Sequence, residues 1–476
     1  MTPSSSDGGS DDHAAAHIKR VLEAWAGDPD FRRGIFEYPS SRQKLLDGVR
    51  IELCASDLSA FWKVLDPKRK GCPDNDKVLR ELTSDPMGNL WIAWNRKKYE
   101  EIDRAASGWF NTGNRRFDAW RNRRSSRAKS EAFIPGGRNF LPPLMGFELS
   151  KGCSIQCWFC AFAPPRLQGY FPHMPENQRL WRDILASSWE LFGPAVRTAV
   201  CYHSTEPTDN PDYFKFLKDF HEICGTYPHT TTANPLKDLE WTKNLMRIRE
   251  TDLSTQDRFS VLSLGSLRAI HQAFSAEEMK NVQLAMQHKG SLAHKNHCGR
   301  ALKYEKRLQA EMQFAQEAGP NNAIVPQLTL ECTIGYLVNM VDRSIRLISP
   351  CNATDQRPLG CMVHAEGTFG NAAEFRDFIS RSIEENMGEH LEKGNRLAFR
   401  EDLTYERLED GFALTSRYIR HAVKGNGHFL LLGDLICQKS LTTGEVTEKL
   451  IQAGMPLFEV ITSLDQLYQK GLLSDG

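Results

Sequence analysis

No excess of either charge exists in these 476 residues: 60 lysines and arginines meet 60 aspartates and glutamates. A chain built to coat nucleic acid carries a positive field, so no nucleic-acid partner is expected, while a peptide substrate remains compatible. No run of about 18 apolar residues occurs, so no membrane-spanning helix is expected. The opening stretch, MTPSSSDGGSDDHAAA, lacks a basic start and an apolar core. It is expected to be a disordered lead over residues 1–16 rather than a signal peptide. Without an export signal, the twelve cysteines are expected as thiols and metal ligands of a reducing cytoplasm, not as disulfides. No internal repeat is visible.

What is present begins with helical periodicity. Ile18, Val21, Leu22 and Trp25 share a face, and Gly27-Asp28-Pro29 breaks the run. With amphipathic stretches near Gln43–Leu53 and Ala55–Val64, this gives an all-helical unit over 17–66. A helical connector over 67–144 contains the one strongly basic segment, Arg115 to Lys129. It reads as a solvated helix face or as a docking strip for an acidic peptide. From 145 to 325, short apolar runs (MGFEL, AVRTAVCY, HTTTAN, RFSVLSL) alternate with helical patterns such as Arg179–Leu191 and Asn210–Ile223. This is the signature of βα units, hence an α/β fold with a parallel sheet or barrel. Long helices are expected at Ala276–Gln287 and Lys303–Ala318. Residues 326–402 read as a β-hairpin, turning at Val341-Asp342-Arg343, with a helical extension. Residues 403–476 read as a strand (His428–Ile436) and two helices, the first opened by a Thr442/Glu445 capping box. That tail resembles a winged-helix unit.

The segment FELSKGCSIQCWFCAFAP places Cys153, Cys157 and Cys160 in C-x3-C-x2-C spacing directly after an expected strand. Three thiolates on one loop suit three irons of a cubane, because soft sulfur favours iron–sulfur clusters. The fourth iron is then open to a small molecule. Zinc is the competing reading, although structural zinc usually shows paired C-x2-C knuckles.

The spacing, its place after the first strand and Phe159 before the last cysteine resemble the radical SAM superfamily. That resemblance implies a partial (β/α)6 radical SAM barrel, a [4Fe–4S] cluster on the three cysteines, and S-adenosyl-L-methionine (SAM) chelating the unique iron. It also implies reductive cleavage to a 5′-deoxyadenosyl radical, fed by a low-potential donor such as flavodoxin or ferredoxin. In the superfamily's pattern, Ser204, Thr205 and Glu206 (HSTEP) would meet the SAM amino group, with Glu206 on the ammonium. Thr232, Ser260 and Ser263 follow at strand C-termini, where barrel sites gather.

Longer strings (FELSKGCSIQCWFC, TEPTDNPDY, YLVNMVDRSIRLISPC and RPLG) resemble radical SAM peptide epimerases that mature ribosomally made peptides, the group around the polytheonamide epimerase. AWAGDPDFRR looks like a Nif-type leader sequence. The resemblance implies conversion of L- to D-residues in a precursor peptide with a leader. Inversion needs a hydrogen donor on the second face, and a cysteine thiol suits because its S–H bond is weak. Cys351 is the first candidate, Cys332 the second and Cys361 the third, while Cys54, Cys72, Cys201, Cys224, Cys298 and Cys437 read as structural. Peptide C-methylation or crosslinking, or chemistry on a small metabolite, are the alternatives. AFAPPRLQGYF, with its double proline, departs from the pattern.

Overall fold

The computed structural model describes residues 8–67, 75–131, 142–292, 298–303, 333–351, 353–416 and 419–474. Twelve strands are assigned among them. The first six are β1 (Met145–Glu148), β2 (Ser150–Lys151), β3 (Gly169–Tyr170), β4 (Thr231–Thr232), β5 (Arg258–Val261) and β6 (Gln283–Met286). The others are β7 (Gly335–Asn339), β8 (Ser344–Pro350), β9 (Cys361–Thr368), β10 (Thr404–Leu408), β11 (Gly411–Thr415) and β12 (Arg420–Lys424). The chain forms two compact units, Met1–Ser107 with Glu206–His294, and Gly108–Thr205 with Lys295–Gly476. The strands expected in one barrel fall into two sheets, one in each unit.

The first unit opens with the helix Gly8–Gly27, which starts inside the stretch expected as a disordered lead. Ala14, Ala15 and Ala16 are buried, and that burial orders a segment whose composition alone reads as loop. The break at Gly27-Asp28-Pro29 is found where expected. Asp28 caps the helix Pro29–Glu37 by accepting the N–H groups of Asp30 and Phe31 at 2.9 and 3.1 Å. Ile18, Val21, Phe31, Ile35, Leu46 and Phe61 fill the core between these helices. β4, β5 and β6 pair in parallel, with the helices Leu239–Thr251 and Leu264–Ala273 as connections. The helix expected over Ala276–Gln287 is instead a series of turns leading into β6. The backbone N–H of Gln283 bonds Asp257 O at 2.9 Å, so pairing with β5 overrides local helical preference. Of the helix expected at Lys303–Ala318, all but its first residue lies outside the described residues.

In the second unit β1 lies parallel to β7, and β8 and β9 extend the sheet antiparallel. The hairpin turn is the expected one, with Arg343 at φ 52°. AVRTAVCY contributes a 3-10 segment and bridges from Val200 and Tyr202 to β1 rather than a full strand. The basic helix Arg115–Glu131 is not solvated throughout: Arg115 and Arg116 are exposed, whereas Arg121, Arg123 and Arg124 are buried. Arg121 donates to Phe110 O at 2.7 Å, and Arg123 donates to Gly388 O at 2.6 Å while lying over the Tyr468 ring. Backbone carbonyls thus take up charges that sequence patterning assigns to water.

The tail contains a three-stranded antiparallel sheet, β10-β11-β12, and three helices. His428–Ile436 lies in a helix, Gly427–Cys437, not a strand. Its unbroken apolar run has no period to decide between the two, and Asn426 caps it through His428 N–H. The Thr442/Glu445 capping box is present as expected. The core runs from Leu397 to Leu473, so the unit begins before residue 403.

Asp257 is fully buried against Arg249, Nε to Oδ2 at 2.8 Å, and its other oxygen accepts Thr230 N–H at 2.8 Å. Replacing one member leaves a buried charge without its counter-ion. Asp257→Asn is expected to destabilise the first unit by about 3–5 kcal/mol, read as a fall in its urea midpoint.

Candidate functional site

The cysteine loop is closed at its neck by β2 and β3, with Ser150 opposite Tyr170 and Lys151 opposite Gly169. Gly152 turns into it at φ +82°, and a Cβ there would stand 2.3 Å from Arg166 O. Only glycine allows both that angle and that approach. Cys153 N–H then donates to Pro165 O at 3.0 Å, and Cys160 N–H donates to Cys157 O at 3.2 Å. Gln156, in the left-handed region at φ 53°, sends its side-chain amide to Cys153 O at 2.7 Å and Pro165 O at 2.9 Å. The double proline therefore has a local task. Proline offers a carbonyl without a competing N–H, and these carbonyls receive the loop's donors.

Cys153, Cys157 and Cys160 are all half-buried thiols on this one loop. Three soft thiolates on one loop suit an iron–sulfur cubane, in which each would bind a different iron. Among the described residues, His13, His17 and Glu277 bring their ligand atoms within 4.8 Å of one another. The His13–His17–Glu277 group is itself a hydrogen-bonded pin. His17 Nδ1 accepts the Glu52 N–H at 3.2 Å, so Nε2 carries the hydrogen it gives Glu277 at 2.8 Å and cannot also ligate.

At the C-terminal end of β1, Glu148 accepts Asn339 Nδ2 at 2.6 Å and faces His203 Nδ1 at 3.7 Å. Burial alone would raise the Glu148 carboxyl, but hydrogen bonds from His203 and Asn339 hold it below its ordinary value. Phe162 of the cysteine loop packs on the His203 ring, centroids 4.3 Å apart. Ser204, at φ 54°, bonds His203 Nδ1 through Oγ at 3.0 Å, and Thr205 N–H donates to Tyr202 O at 3.1 Å. Glu148, Gln156 and Asn339 are polar groups that motif reading passes over. The traceable signal was an acid at the last position of the strand that delivers the cysteines.

The other expected contacts fall in the first unit. Glu206 is buried, and its carboxylate accepts Thr232 Oγ1 at 2.5 Å, Ala233 N–H at 2.9 Å and Thr208 Oγ1 at 3.2 Å. Burial pushes this carboxyl up against those donors. Glu206 and Thr232 are thus brought together, as a tie onto β4. Ser263 caps the helix Leu264–Ala273, and Ser260 is half-buried on β5.

Cys351 is buried just past β8, its N–H bonded to Gly360 O at 3.0 Å. Cys361 opens β9 and is half-buried. Cys332 lies outside the described residues. One turn of strand before Cys351, Ser349 Oγ meets His364 Nε2 at 2.9 Å.

Residues 397–471 match the family described as Protein y4wI C-terminal domain, a span that coincides with the tail's hydrophobic core. The chain is 33% identical over 466 residues to the "Uncharacterized protein y4wI" of Sinorhizobium fredii (strain NBRC 101917 / NGR234), covering 97% of this chain and 87% of that one. Among solved structures, it is similar to BtrN in complex with AdoMet and 2-DOIA at 12% identity. That likeness covers 52% of this chain and 84% of BtrN with a TM-score of 0.30, too low to carry argument.

Burial, together with Arg124, Arg127 and Arg357, lowers His364 from 6.5 to about 3. The unfolded chain therefore takes up this proton first as pH falls, and stability declines from pH 6.5 toward 3. His364→Gln is expected to remove one proton's dependence from that acid limb, measured as the urea midpoint against pH.

Proposed function

The chain belongs to the y4wI family, and we propose that it is a radical SAM enzyme that epimerises residues of a peptide. The observation that carries this reading is the cysteine loop: three thiols in C-x3-C-x2-C spacing, at the C-terminal end of a parallel strand.

Cys153, Cys157 and Cys160 would hold a [4Fe–4S] cluster. With SAM bound there, such a cluster would supply one-electron radical chemistry. The chain's own residues do the rest. Backbone bonds and the Gln156 amide keep the three cysteines on one tight loop. Glu148, kept ionised by His203 and Asn339, gives the end of β1 a fixed negative charge. Cys351, buried just past β8, returns its thiol hydrogen to the second face of a planar Cα radical. The resulting sulfur radical needs one electron and one proton to become a thiol again, which a low-potential electron donor and solvent supply. Ser204, Thr205, Glu206, Thr232, Ser260 and Ser263 remain the candidate SAM contacts, with Glu206 and Thr232 acting as a linked pair.

A precursor peptide is the partner this reading requires. Among the described strands, β12 pairs with β11 alone, and an extended leader could add to that edge.

Anoxic reconstitution is expected to give about four irons per chain, broad absorbance at ~400 nm and SAM cleavage, all lost when Cys153, Cys157 or Cys160 becomes alanine. Zinc or no metal in the wild type sinks the proposal. Coexpression with the precursor in deuterated water is expected to add one deuterium per inverted Cα, because a thiol exchanges with solvent. Cys351→Ala should abolish inversion while SAM cleavage continues. Undiminished inversion in that variant removes Cys351 as donor.

A further inference from the structure

The cysteine loop has a second holder, contributed by residues 298–303. Cys298 is fully buried and anchors the segment. Gly299, at φ +59°, brings it so close that a Cβ would stand 2.2 Å from Ala161 O and 2.5 Å from Cys160 O. No other residue allows that approach. The next residue, Arg300, lies across the loop. Its backbone N–H donates to Cys160 O at 2.9 Å. Its guanidinium reaches Gln156 Oε1 at 2.6 Å, Cys157 O at 3.4 Å and Pro164 O. Gln156 in turn holds Cys153 O at 2.7 Å. Each of the three cysteines therefore has its carbonyl fixed by Arg300 or by the glutamine that Arg300 orients. A guanidinium is the side chain suited to this, because its planar fork carries donors to several acceptors at once.

We infer that Arg300 is a positioning residue for the metal cluster, setting the spread of the three thiolates and lending a fixed positive charge at the loop. This rests on the cluster proposed above. Two effects separate from one another. The fork restrains the loop, and this governs how firmly iron is held. The charge stabilises the more negative, reduced form of a cluster, and this raises its potential.

The test uses the full chain, reconstituted anoxically as wild type, Arg300→Lys and Arg300→Gln. Read are iron and sulfide content, the rate of iron loss to a chelator, and the midpoint potential by EPR-monitored titration without SAM. Arg300→Gln is expected to retain less than half the wild-type iron, with its remaining cluster at a more negative midpoint. Arg300→Lys keeps the charge and loses the fork. It is expected to recover the wild-type midpoint yet release iron at least threefold faster, with an unchanged melting curve. Wild-type iron loss in Arg300→Lys overturns the restraint. A wild-type midpoint in Arg300→Gln overturns the charge effect. A wild-type chain that takes up no cluster overturns the proposed function itself, an outcome distinct from either.

Discussion

Three ionised thiolates on one short loop repel one another, so the loop must be held shut by other bonds before a metal can bring them together. In this protein main-chain bonds supply part of that restraint. The β2–β3 pair closes the neck, Cys153 N–H bonds the carbonyl of Pro165, and Gly152 permits the crossing. The side chains of Gln156 and Arg300 then add bonds to the loop's carbonyls.

How much of this could be read beforehand varies with the range of the interaction. Local signals were legible. The break at Gly27-Asp28-Pro29, the Thr442/Glu445 box, the Val341–Arg343 turn and the strand before the cysteines each depend on neighbours within about one turn of chain. Signals that depend on distant partners were not. Arg300 lies far along the chain from Gln156, and nothing in the local string CGR marks it. The basic helix Arg115–Glu131 read as solvated because its acceptors are carbonyls at Phe110, Pro142 and Gly388, which a charge pattern does not show. His428–Ile436 failed for a different reason. A continuous apolar run fits a buried helix as well as a strand, and packing settled it, since a Cβ on Gly433 would stand 2.7 Å from the Phe412 ring.

The cysteine loop and the proposed hydrogen donor share a support. Gly299, which meets the carbonyls of Cys160 and Ala161, also donates its N–H to Pro358 O at 2.6 Å. Pro358 belongs to the RPLG turn, and the Gly360 carbonyl of that turn receives the Cys351 N–H at 3.0 Å. One short segment is therefore bonded on one side to the cysteine loop and on the other to the turn that fixes Cys351. A reaction that takes hydrogen from one face of a carbon and returns it to the other requires two reactive groups at a set separation, and a one-ångström error in either is costly. With Cys351 as the donor proposed above, one strap of backbone bonds, jointed at the RPLG turn, would set its separation from the cysteine loop by local geometry rather than by loop motion.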